Sequence, residues 1–206
     1  TNGSAPTVSD YTEEEIRAAI EEAHRFDKKV AAHVHGGPGA RSAINAGIDS
    51  IEHGVYLTEE DLALMAEKGT YLCITYGVYF AAAQSDTAPQ FMKDRCAEAA
   101  KHYLTTIANA RKHRVKVVFG GDTYHGDPTT EFKGLIEAGF TPEEALCAAT
   151  SNAAELLGLA DKIGTIEPGK YADLVCLNDN PLDNPDAMRD VAFVMKNGQV
   201  YMPDIL

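Results

Sequence analysis

The chain has 206 residues, and its 18 Lys and Arg against 31 Asp and Glu give a formal net charge of -13. Such a surface repels phosphate backbones and anionic headgroups, so no nucleic acid and no membrane is expected as a partner. With 45% hydrophobic residues there is material for one sizeable domain and a smaller appendage.

The opening T-N-G-S-A-P-T has no signal-peptide character. After turn-rich residues 1–11, Thr12 and Glu15 form a capping box, and Ile16, Ala19, Ile20 and Ala23 supply the apolar face of a helix ending near Phe26. A short strand at 30–34 follows in V-A-A-H-V-H-G-G. Pro38 to Gly47 fits a helix with a glycine stop, and a second strand at 49–53 ends in D-S-I-E-H-G. Both strands are β-branched or Ala-rich, which suits burial on both faces. Both finish on histidine: His33 with His35, then His53. Parallel neighbours bring those ends together, and convergent imidazoles are what a divalent metal requires.

Thr58 caps a helix reaching Lys68, with Gly69 as its stop. A third strand at 71–75 has Tyr76 at its exit, and a polar loop with Asp86 and Pro89 leads to a long helix at 90–113. A fourth strand at 115–119 runs into Gly120-Gly121-Asp122-Thr123. Helices follow at 130–138, at 142 onward with Pro142 at the first position, and through 151–157. After Ala160 the chain turns β-rich and ends in a hairpin over 191–201 with Asn197-Gly198 at its turn.

Strand and helix alternate through the first ~140 residues, so the expected fold class is α/β with a parallel sheet. His33, His53, Tyr76 and Asp122 all fall at C-terminal strand ends, where β/α barrels place their chemistry. No glycine-rich nucleotide loop favours an open doubly wound sheet. Cys73, Cys96, Cys147 and Cys176 make no C-x-x-C pair. They read as buried free thiols of a reducing, cytoplasmic compartment.

V-A-A-H-V-H-G with A-I-N-A-G-I-D-S-I-E-H-G, then V-V-F-G-G-D-T, E-A-L-C-A-A-T-S-N-A-A-E-L-L-G-L and G-T-I-E-P-G-K-Y-A-D-L-V run in order along nearly the whole chain. Together they resemble the amidohydrolase superfamily of metal-dependent hydrolases, nearest its imidazolonepropionase and prolidase-like branch. The resemblance implies a distorted (β/α)8 TIM-like barrel holding one or two divalent ions, commonly zinc. His33 and His53 stand where the family has ligands on its fifth and sixth strands, and Asp122 where it has the acidic residue of its eighth. The family's first-strand H-x-H pair and fourth-strand carboxylated lysine have no counterpart. The chain therefore reads as the C-terminal half of such a barrel at 1–160, with 161–206 part of the flanking β-sandwich.

Implied with this is hydrolysis of a C–N bond in a small amide, peptide-like or cyclic amide, by metal-activated water. Asp122 would be both metal ligand and general acid/base. His35 is expected to hydrogen-bond the substrate, the alternatives being a satisfied loop histidine or the ligand in place of His33. Tyr76 and His125 are expected to line the substrate pocket, and Glu52 to be a supporting carboxylate. His24, His102 and His113 are expected to be solvated. A homo-oligomer, or pairing with the missing N-terminal half, is expected. The competing expectation is an inactive half-barrel serving as an assembly module, because bare sheet edges invite association.

Overall fold

A computed structural model describes residues 9–122 and 127–201. Four parallel strands form one sheet in chain order: β1 (Ala31–Gly36), β2 (Ser50–Tyr56), β3 (Tyr71–Ile74) and β4 (Val117–Phe119). Parallel neighbours need crossovers. Those crossovers are the helices α2 (Gly37–Ala46) between β1 and β2, and α3 (Glu59–Lys68) between β2 and β3. Between β3 and β4 run α4 (Tyr76–Ala83) and α5 (Gln90–Lys112). Helix α1 (Glu13–His24) precedes β1, and α6 (Thr129–Glu137), α7 (Pro142–Ala149) and α8 (Ser151–Leu156) follow β4.

Local sequence explains several of these boundaries. Thr12, Thr58 and Thr141 each accept the N–H three residues on, and the residue there returns a carboxylate to the threonine N–H. Each such cap contributes about 1 kcal/mol. Left-handed Gly47 and Gly69 end α2 and α3.

Alternate strand residues build the core. Ile51 and Val55 of β2, Leu72 and Ile74 of β3 and Val117 of β4 join Ile44, Leu62, Met65, Tyr103, Ile107, Phe132 and Leu135 from the helices. Fully burying each aliphatic side chain contributes ~1.5–3 kcal/mol. On the opposite face Ala31 and His33 of β1 lie exposed toward the site, while Tyr71, Cys73 and Val118 form a smaller buried cluster with Ala153 and Leu156.

The tail forms a second, antiparallel sheet of β5 (Leu174–Leu177), β6 (Val191–Lys196) and β7 (Gln199–Tyr201), with a 3-10 turn at Pro185–Arg189. Arg189 pairs with Asp127 at 2.8 Å, and buried Ala187 also fixes this turn.

Three expectations are corrected. Residues 76–83 form a helix rather than loop. Only Cys73 is buried, while Cys147 and Cys176 are exposed and Cys96 is intermediate, although all four are free thiols. His24 is exposed, as expected, with its Nε2 2.7 Å from Asp49 Oδ2, whereas His113 is half-buried and its Nε2 meets Glu59 Oε2 at 2.9 Å. His102 stacks on Tyr56, ring centroids 5.0 Å apart.

Candidate active site

Strand alternation puts His33 and His35 on one face of β1, opposite the face where Ala32 and Val34 join the core. In β2 the same rule sends Ile51, residue 53 and Val55 toward the helices. His53 escapes because its φ is 72°, a left-handed conformation that turns its side chain out of the alternation. Five described non-glycine residues have positive φ. Asp27, Arg114 and Asn197 lie in turns, and the other two are His53 and Asp122, with φ 44°. Such strain costs ~1–3 kcal/mol and persists where the surroundings impose it.

The result is a three-imidazole cluster. Ring centroids of His33 and His53 are 4.5 Å apart, those of His33 and His35 4.9 Å, and those of His35 and His53 5.2 Å. His53 Nε2 faces His33 Nδ1 at 2.8 Å, one ring donating to the other. His53 Nδ1 meets Thr75 Oγ1 at 2.7 Å, and Thr75 N–H donates to the buried Tyr103 hydroxyl at 3.1 Å. Tyr79 of α4 closes the other side, its hydroxyl 3.1 Å from His35 Nδ1.

Burial, then the neighbouring imidazoles, push the His35 pKa down to about 4, while Asp122 opposes the shift. Burial and then His33 lower that of His53, against Asp122 and Glu52. Both rings are thus neutral at pH 7, the state in which histidine binds metal. Asp122 is exposed, at the end of the Gly120-Gly121 exit from β4, and its field reaches both rings.

Among the described residues no group of three or more His, Cys, Asp or Glu side chains is arranged to hold an ion. The chain brings His33 and His53 together and leaves Asp122 facing them without a hydrogen bond to either among the described residues. The pair suits an ion nonetheless. Two ligands of a tetrahedral zinc at ~2.0–2.1 Å stand about 3.3 Å apart, so the facing nitrogens need part by only about half an ångström. With both facing nitrogens given to an ion, the His53 proton lies on Nδ1 and is donated to Thr75 Oγ1, the usual outer-shell arrangement.

Tyr76 does not line the site. It is 5% exposed and packs in the core beside Gly134 of α6. Its helix carries Tyr79 to the imidazoles instead, which the sequence reading missed. His125 lies outside the described residues. Glu52 neighbours Cys73 and accepts from the Ser50 hydroxyl at 2.6 Å. A cavity of about 1090 Å³ opens along β1, lined by His33, His35, Tyr56, Tyr79, Arg95 and Cys96 among others.

The profile of the amidohydrolase family matches residues 2–203, so the chain belongs to that family. It is 34% identical to ochratoxinase of Aspergillus niger over 204 residues, covering 95% of this chain and 42% of that protein. It is 31% identical over 142 residues to imidazolonepropionase of Erwinia tasmaniensis, covering 65% of this chain and 31% of that protein. Among solved structures it resembles a Xaa-Pro dipeptidase with bound methionine, at TM-score 0.86 and 34% identity over 96% of this chain and 51% of that one. A prolidase complexed with N-methylphosphonate-L-proline superposes with TM-score 0.85 at 30% identity, over 93% of this chain and 49% of that one. The chain thus spans about half the length of these proteins or less. Among the described residues no helix is long and apolar enough to cross a membrane.

Proposed function

We propose that this chain is the C-terminal half of a (β/α)8 metal-dependent amidohydrolase, residues 1–160 giving barrel and 161–206 part of its flanking sandwich. The whole protein hydrolyses a C–N bond of a small, dipeptide-like amide. The observation that carries this reading is the nitrogen-to-nitrogen approach of His33 and His53 at 2.8 Å from separate strands. Amidohydrolases of this family are generally metal-dependent.

His33 and His53 would hold the ion, zinc being the metal whose chemistry suits paired imidazoles. A bound divalent ion supplies Lewis acidity and makes water a usable nucleophile near neutral pH. Asp122, facing the imidazoles, would take a proton from the attacking water as the carbon–oxygen bond forms. It returns that proton to the leaving nitrogen as the C–N bond breaks. His35, neutral and held at Nδ1 by Tyr79, keeps its other ring nitrogen for hydrogen bonding to the substrate. Arg95 in the same cavity fits a substrate carboxylate, in keeping with relatives described as dipeptidases and prolidases. His125 is proposed as a substrate contact on its sequence position alone.

Both edges of the parallel sheet, β1 and β4, are free of a further strand among the described residues. Such free edges suit pairing with the first half of the barrel and equally suit an assembly module, and turnover separates the two. The free thiols suit a cytoplasmic setting. The test is turnover by the full-length protein on a panel of N-acyl amino acids and dipeptides. Release of free amino acid, abolished by a chelator and restored by zinc, is expected. A metal-loaded, folded protein inert on every amide would overturn the reading.

A further inference from the structure

Glu131 is only 1% exposed, and its salient partner is a backbone donor: Gly77 N–H to Oε1 at 3.0 Å. Gly77 is the second residue of α4, whose first-turn N–H groups have no partner within the helix. The N-cap, Thr75, gives no side-chain cap, because its hydroxyl is turned to His53. A carboxylate from α6 therefore does the capping. The two helices meet closely through a glycine on each. A Cβ at Gly77 would lie 2.6 Å from Glu131 Oε1, and one at Gly134 would lie 2.6 Å from Tyr76 Cδ1.

What α4 carries makes this contact matter. Its N-cap, Thr75, holds His53, and Tyr79, one turn on, holds His35. We propose that Glu131 is a positioning residue for the site: by capping α4 from α6 it sets Thr75 and Tyr79 against the two imidazoles. Packing alone would not call for a carboxylate here, since burying one without a counter-charge is costly. Burial pushes the Glu131 carboxyl up to about 7, with the Gly77 N–H acting against the shift. The inference rests on the imidazoles being the site, and its test needs no substrate.

The experiment uses full-length protein with 15N-labelled histidine. Two-bond proton–nitrogen spectra read the tautomer and hydrogen bonding of each ring, and hydrogen exchange reads the amides of 77–80. Glu131→Met, which keeps length but offers no acceptor, is expected to shift the ring signals of His35 and His53. Tyr79→Phe serves as the reference for the His35 shift. Exchange at 77–80 should rise at least tenfold in Glu131→Met, while Glu131→Gln, which keeps an acceptor oxygen, should restore the wild-type spectra. Should Glu131→Met fail to fold, Glu131→Asp, which draws the acceptor back by one methylene, is expected to show a smaller shift of the same rings. Unshifted rings in a folded Met or Asp variant, or a Gln variant that shifts as Met does, overturn the proposal. A wild type with no amidase turnover would sink the hydrolase reading and leave these spectra as informative as before.

Discussion

At the exits of β1 and β2 the chemical groups sit on the strands themselves, whereas at the exits of β3 and β4 they sit beyond them. His33 and His53 lie within a ladder that pairs His33 with Glu52 and Val34 with His53, and His35 sits at the irregularity just beyond. Tyr79 rides on a short helix, and Asp122 on a glycine exit. The first side is fixed by backbone hydrogen bonding. On the second, α4 with its Tyr79 is held by a few side-chain bonds, those of Thr75, Tyr79 and Glu131. Metal affinity should therefore depend most on the first side, and catalytic alignment on the second.

Replacement of a ligand breaks the first side. His53→Asn in the full-length protein should cost more in metal affinity and turnover than the ~10–100-fold typical of outer-shell changes, read by metal analysis and initial rates. Asp122→Asn probes the second side. It should lower kcat by ~10²–10⁴-fold, the range of a lost general acid–base, while the protein still binds its ion. Equal loss of metal in both variants would erase the distinction between the sides. Thr75→Val sharpens it, removing only the oxygen that meets His53 Nδ1 at 2.7 Å. The expected loss in metal affinity is ~10–100-fold, measured by competition with a chelator.

The smallest effect is on stability. Glu131 keeps its proton up to about pH 7 when folded, whereas an ordinary glutamate in the unfolded chain loses it near ~4.3. Its contribution is thus fully present below the unfolded value and is lost as pH rises through the folded one. Glu131→Gln should remove that slope between those limits, in denaturant melts at a series of pH values. A variant whose stability falls with pH as steeply as wild type would place the slope elsewhere.

The two sides also differed in how far the sequence disclosed them. Apolar runs ending in histidine, and a glycine exit ending in Asp122, announce strand ends directly, and alternation alone puts His33 and His35 on one face. The left-handed twist at His53 was not readable, since nothing in I-E-H-G marks a histidine rather than its glycine for positive φ. Residues 76–83, Y-G-V-Y-F-A-A-A, carry neither a capping residue nor an apolar–polar period, so the helix passed for loop. Tyr79 carries no signal for the same reason: one turn of helix decides which ring reaches the imidazoles. Glu131 carries no signal of its own in the sequence, because its burial depends on α4 packing against α6, with Gly77 against its carboxylate. The exposure of Cys147 and Cys176 likewise depends on neighbours supplied by tertiary packing rather than by adjacent residues.

The most direct test of the central claim is the metal content of full-length protein, wild type beside His33→Asn and His53→Asn, after exhaustive dialysis against metal-free buffer and reloading with zinc. One imidazole pair gripping one ion predicts at least one zinc per wild-type chain and one fewer in each single variant, with folding unchanged by circular dichroism. Wild-type metal content in both variants would contradict it.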